Sequence, residues 1–403
     1  ESTGIEYTSL EKALENAATE DTIKMLLPYQ ITENTNSLEI PIEKNITLDM
    51  NGYTIKASNN DTIINNGIFT LLDSKEEKGS IINTKGRIIL NNENSTFNFS
   101  DITLQNTVGG TTIVTNNGTM VMNSGRMTAP LNNQVTDIVK IENTGSLEIN
   151  GGTIDVTSVG PNWKSTGIVN RGTGEIKITG GEIVGRVYWD YPSAIASFDD
   201  SKIEITGGRI YRNEGNNIFG ISVEGNSHVI YKDGELTGGN TGIRVIGTGN
   251  LEIAGGVITE TNGNGIELSN NANLTITGGT ITGQNGITGS GKVINIEGES
   301  TNIIANGYNG LEVSGSTEVN ITGGTITSKT SNGIYISSKN VKLTLGKKGD
   351  GETSVITPKI KSEKGNGIYN GANATFNFYD GIIEGKENQS ISGTISEVEE
   401  EYT

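Results

Sequence analysis

Residues 264–281 read NGIELSNNANLTITGGTI, and this stretch decides the fold. Two glycine-bearing phrases, Asn264-Gly265-Ile266 and Gly278-Gly279-Thr280-Ile281, flank an alternating segment, Leu274-Thr275-Ile276. Apolar and polar residues alternating over a few positions, bounded by Gly or Asn, mark a short half-buried strand. The GGxI phrase recurs at 151–154, 180–183, 207–210, 255–258 and 323–326. With weaker copies, its apolar anchors are Ile55, Ile81, Ile102, Met127, Ile154, Ile183, Ile210, Leu236, Ile258, Ile281, Ile304, Ile326, Ile356 and Ile383. They recur about every 25 residues, a period typical of solenoids. In seven repeats the apolar residue of the [NT]-G-I phrase, or its counterpart, lies 15 residues before the next anchor.

Three strands and three turns in so short a period make one rung of a parallel β-helix, whose inward Ile, Leu and Val stack into ladders. Gly and Asn are expected at corners that need positive φ, and outward Asn and Thr in polar ladders. Parallel crossovers are overwhelmingly right-handed. The expected fold is all-β, a single right-handed parallel β-helix solenoid of about 14 rungs of three strands, with a short N-terminal capping helix. Thr8-Ser9-Leu10-Glu11 reads as a capping box, followed by Leu10, Ala13, Leu14, Ala17 and Ala18 at helical spacing. Residues 1–45 read as the N-terminal cap, 46–385 as the β-helix, and 386–403 as a last partial rung and acidic tail.

Composition narrows the function. The 403 residues include 56 Gly, about twice the usual share, with no G-X-Y period. A formal net charge of −18 repels phosphate backbones and anionic lipids, so neither nucleic acid nor a membrane surface is an expected partner. No Cys is present, and His228 is the one His, which removes disulfides, thiolate zinc sites and most His-based triads. No apolar run reaches the roughly 20 residues of a membrane span. The chain opens without an initiator Met or signal peptide, so it reads as a mature or cut product and a piece of a larger surface protein.

The GGTI and NGI rungs resemble the right-handed β-helices of the pectin-lyase-like superfamily. The opening stretch, Ser9-Leu10-Glu11-Lys12-Ala13-Leu14 through Asp21-Thr22-Ile23-Lys24-Met25-Leu26 to 46–55, ITLDMNGYTI, is similar to the start of β-helix domains in large surface proteins of Gram-positive bacteria such as clostridia. That resemblance implies export and display at the cell surface. It fixes no activity, because the superfamily holds lyases, hydrolases, adhesins and binding modules.

Chemistry is expected where the repeat is irregular. From anchor to next [NT]-G-I residue, the plain rungs take 6 to 8 residues, while three consecutive rungs take 14, 12 and 11, at 154–168, 183–195 and 210–221. Equivalent loops on neighbouring rungs lie side by side and build one ridge. They hold both Trp of the chain, and residues 171–244 hold five of its seven Arg. The candidate ligand-binding residues are Trp163, Lys164, Arg186, Tyr188, Trp189, Asp190, Tyr191, Tyr211, Arg212 and Glu214. Aromatic faces stack on the C–H faces of sugar rings, and Arg and carboxylates supply fork-like hydrogen bonds to hydroxyls. The same side chains can instead pack the loops against the rod.

The leading expectation is a non-catalytic adhesin or glycan-binding module, extracellular or at the cell surface, that binds a glycan or a host or matrix protein. The alternative is a polysaccharide lyase or glycoside hydrolase. There Arg186 or Arg212 would serve as base, with Asp190 and Glu214 as the carboxylates that offset a uronate charge. A structural stalk is the third reading. Asp199-Asp200 resembles the carboxylate pair of the hydrolase branch, but the Gly-His-Gly and Arg-Ile-Lys segments expected beside it are missing, and an exposed turn explains the pair. No cofactor is expected. Calcium on acidic turns stays open, although no D-x-[DN]-x-[DN]-G loop occurs.

Overall fold

The computed structural model describes residues 4–108, 110–130, 136–157, 165–185, 193–212, 219–237, 239–349, 356–386 and 389–398. The chain is an all-β, right-handed parallel β-solenoid of about 13 turns, with one short helix among the described residues. It divides into two compact units: Glu1–Ile203 with Gly208–Gly215, and Glu204–Gly207 with Asn216–Thr403. Each turn contributes three strands. We call face I the strand with the [NT]-G-I residue, face II the strand after it, and face III the strand with the anchor.

In the first unit, helix α1 (Leu10–Asn16) buries Leu10, Ala13 and Leu14. Its N-cap is Ser9, not Thr8: the Ser9 side chain accepts from the Lys12 N–H at 3.3 Å. Glu11 therefore does not close a capping box but accepts a hydrogen bond from the Tyr29 hydroxyl, tying α1 to the first turn. Burial and this carboxylate push the Tyr29 phenol up to about 12.

Inward residues then stack turn upon turn. On face II the first unit runs Ile46, Phe69, Phe97, Met120, Leu147, Ile176 in direct register. Its face III runs Ile55, Ile81, Leu104, Met127, Ile154, Ile183, Ile210. In the second unit face III runs Leu236, Ile258, Ile281, Ile303, Ile326, Ile360, Ile383. Apart from half-buried Ile383 on the last turn, these side chains are almost fully buried, and each contributes about 1.5–3 kcal/mol of transfer free energy. Three anchors differ from the sequence reading. Leu104, Ile303 and Ile360 hold the ladder positions, not Ile102, Ile304 and Ile356. In the sequence an apolar residue one, two or four places away looks equivalent, and only the register separates them.

The glycines divide into two kinds. In GGxI the second glycine sits at positive φ, as expected; Gly279 has φ +91°. The glycine of N-G-I has no positive φ, contrary to the expectation for corners. A Cβ on Gly265 would lie 2.4 Å from the Ile281 Cγ2 and 2.6 Å from the Gly286 carbonyl oxygen. That glycine is required by the closeness of the next turn.

Asparagine is also used inside. Asn65, Asn91 and Asn116 stack inward on face I of the first unit with no solvent exposure. The Asn65 amide donates to Asn91 Oδ1 at 2.7 Å and the Asn91 amide to Asn116 Oδ1 at 2.6 Å. Each also donates to a backbone carbonyl at the next corner, Thr96, Thr119 or Ser146. The ladder thus ties the buried amides to one another and to the backbone at the corners. Outward ladders exist as well, such as Asn273 to Asn250 at 2.9 Å and Asn320 to Asn295 at 3.1 Å.

At the end of the second unit, Ile391–Gly393 pairs with Ile368–Asn370, and Glu397–Val398 with Asn377–Phe378. Glu397 accepts from the Tyr379 hydroxyl at 2.8 Å and pairs with Lys348. These hydrogen bonds, Lys348's first, hold its carboxyl below the usual range.

Candidate ligand-binding face

The enlarged connections of the first unit leave one corner, between faces III and I. Thr153–Thr157 leads to Ser165–Asn170, and Glu182–Gly185 leads to Ser193–Ser197. Both ends are in register, Ile154 with Ile183 and Ile168 with Ile195. The connections therefore start and finish on adjacent turns. Trp163, Lys164, Arg186, Tyr188, Trp189, Asp190, Tyr191 and Glu214 lie outside the described residues. Arg212 ends the strand Lys202–Arg212 opposite Gly185, and its side chain lies outside them too.

Tyr211 is described. It is half-buried, faces outward beside Val184, and carries the Arg209 guanidinium 4.5 Å above its ring. Arg209 also lies 3.9 Å from Glu182 on the preceding turn. At the foot of the first loop, Asp155 pairs with Arg126 at 2.7 Å. These arginines bridge neighbouring turns, and Arg87 with Asp61 at 2.8 Å does the same. Around the corner the face I residues are small and covered: Val169 and Ala196 are each 5% exposed and Ser193 1%.

Asp137 is a titratable residue near the candidate loops that the sequence reading did not single out. It sits on face I opposite Thr166, where the first enlarged connection ends. Burial raises its carboxyl pKa above the ordinary value, against Lys140, Arg171 and a hydrogen bond from Thr166. A carboxyl whose pKa is raised by burial next to a candidate loop is a recognised functional signature, which spacing alone does not reveal.

Elsewhere the structure accounts for the remaining candidates. Asp199 occupies a left-handed corner position, φ 62°, and accepts from the Gly172 N–H at 3.1 Å. Asp199 and Asp200 are exposed there, as an ordinary turn requires. His228 faces outward with Nε2 2.9 Å from Glu252 Oε1. In the second unit, Tyr335 and Tyr369 stack outward on face I, ring centres 5.4 Å apart and planes 11° from parallel, one turn beyond Glu312. A shallow groove of about 270 Å³ on face III is lined by Glu299, Gly324, Thr325, Thr357, Lys359 and Ile382. Among the described residues no group of three or more His, Asp or Glu is arranged to hold a metal.

No protein-family model and no curated protein matches the chain. It is similar to a chain in the cryo-EM structure of the Vag8–C1 inhibitor complex, with a TM-score of 0.57 over 93% of this chain and 99% of that one. The two sequences are 10% identical, so the likeness is one of fold.

Proposed function

We propose that this chain is an extracellular, non-catalytic binding module that takes a glycan on the loop ridge of residues 154–221. The observation that carries this reading is the register. It starts two tryptophan-bearing connections, those following Thr153–Thr157 and Glu182–Gly185, from the same corner of adjacent turns. Stacking of sugar faces on the indoles, with hydroxyl bonds from neighbouring polar groups, is the recognition chemistry. Display at the surface of a Gram-positive bacterium follows from the resemblance of the opening stretch. No helix among the described residues is long and apolar enough to cross a membrane. A second reading, a protein partner on the same ridge, draws support from the similar structure, in which Vag8 is in complex with C1 inhibitor.

The test combines a glycan array, a panel of host and matrix proteins, and polysaccharide-degradation assays, on wild type and on Trp163→Ala/Trp189→Ala. The expected outcome is glycan binding that the double variant weakens by about 30-fold, the effect of losing an aromatic hot spot worth ~2 kcal/mol. Unsaturated or reducing products would overturn the reading in favour of a lyase or hydrolase using Arg186, Arg212, Asp190 and Glu214. Capture of a protein alone would favour the second reading. No binding at all, with an unchanged variant, would leave a stalk.

A further inference from the structure

The sequence contains twelve Asn-Gly bonds, the dipeptide most prone to spontaneous deamidation because glycine leaves its backbone nitrogen open to attack the Asn Cγ. Five of these asparagines form a continuous amide ladder along the N-G-I corner of the second unit: Asn264, Asn285, Asn309, Asn332 and Asn366. The Asn285 amide donates to Asn264 Oδ1 at 3.0 Å, and Asn285 Oδ1 accepts from the Asn309 N–H at 2.9 Å. Asn309 Oδ1 accepts from the Asn332 amide at 3.2 Å, and Asn332 Oδ1 from the Asn366 amide at 3.0 Å. The attacking nitrogens are occupied too. Gly265, Gly286, Gly310, Gly333 and Gly367 each donate to a carbonyl of the following turn at 3.0–3.2 Å. Nitrogens 52, 67 and 307 are held by Asp73, Asn65 and the Gln284 carbonyl.

Among the described residues, four of the twelve glycine nitrogens remain unbonded, those of Gly118, Gly151, Gly263 and Gly371. Two of the preceding asparagines are held by hydrogen bonds and a third is shielded. Asn150 is held at both ends of its amide by Asn123 and Thr179. Asn370 is buried, with its oxygen on the Ala374 N–H. Asn117 is half-buried, with its amide oxygen shut off from solvent. Asn262 alone combines an exposed side chain that makes no hydrogen bond with a free following N–H.

We infer that Asn262-Gly263 is a self-modification site, a deamidation position that the fold leaves open while closing the other eleven. The Gly263 nitrogen bonds to Asn262 Cγ, the Cγ–NH2 bond breaks, and ammonia leaves with the proton that Gly263 gives up. Water then opens the succinimide at either carbonyl and leaves an aspartate or isoaspartate. The product carries a new negative charge, and in the isoaspartate an extra backbone methylene. Both fall at a corner where the Gly263 carbonyl accepts from Gln284 at 2.6 Å and Asn264 donates to Asn240 at 2.8 Å, next to the first rung of the ladder.

The experiment is incubation of the folded wild-type chain at mildly alkaline pH, followed by peptide mapping that separates Asn, Asp and isoAsp forms. Asn262 is expected to convert at least about tenfold faster than any ladder asparagine. Tenfold corresponds to about 1.4 kcal/mol, the net worth of one hydrogen bond. In denaturant the twelve rates should converge. Faster conversion at Asn117, Asn150 or any ladder position would overturn the inference. So would an unchanged ranking in denaturant, which would assign the preference to local sequence.

Discussion

Individual residues in this chain are chosen for what stands one turn above or below them. Asp137 shows the electrostatic side. Burial makes the folded state hold its proton more tightly than the unfolded state, whose carboxyl titrates near the ordinary 3.8. Stability therefore falls as pH rises through that value and on through the raised one, and levels off above both. Asp137→Asn should accordingly unfold at a higher denaturant concentration than wild type at neutral pH. The advantage should disappear below pH 3.8. A variant less stable at neutral pH would show that the hydrogen bond from Thr166 outweighs the burial cost. The glycines show the steric side. A Cβ on Gly286 would lie 2.4 Å from Ile303 Cγ2 and 2.5 Å from the Gly310 carbonyl, whereas one on Gly247 would meet nothing closer than 3.5 Å. Gly286→Asn should cost at least about 1–3 kcal/mol from overpacking. Gly247→Asn, at φ +78° in open space, should stay within about 0.5 kcal/mol, because Asn tolerates that backbone region. Urea titration of the two variants decides whether these glycines serve different ends.

At the scale of elements, no strand here is stable alone. Most strands run only three to six residues, too few to bury enough apolar surface, and each depends on its neighbours on adjacent turns. The register that results explains why arginine clusters near the enlarged loops without leaving a bare cationic patch among the described residues. Arg126 and Arg209 lie against Asp155 and Glu182 on adjacent turns. Helix α1 covers part of the opening edge, fastened by Tyr29 and Glu11. Exposed edge strands invite association, which is the physical use of such a cover.

At the scale of the whole molecule, a solenoid is close to a sum of turns and nearest-neighbour interfaces. Ile258 and Ile281 are direct partners in the face III ladder of the second unit. Deleting residues 259–281 removes one full turn and brings equivalent positions together. The shortened chain should fold, with a far-ultraviolet spectrum of the same shape and a urea m-value reduced in proportion to the surface lost. A chain that no longer unfolds cooperatively would show that this turn is not interchangeable with its neighbours. The same independence lets one corner carry long loops while the ladders below continue undisturbed.

Fold class, the three strands per turn and the place of the irregular loops were legible in the sequence, because each depends on a period that recurs many times. Ile154, Ile183 and Ile210 declare their own equivalence. What the sequence left open depends on contact across turns, between residues some 25 positions apart whose identities carry no mark of one another. That is why Leu104 displaced Ile102, and why the buried Asn65–Asn91–Asn116 ladder went unforeseen. The raised carboxyl of Asp137 belongs to the same class, since it arises from burial and not from any motif. The repeat determined which backbone this chain adopts; only the stacking of one turn on the next decided which side chains are shut in, paired or left open to react.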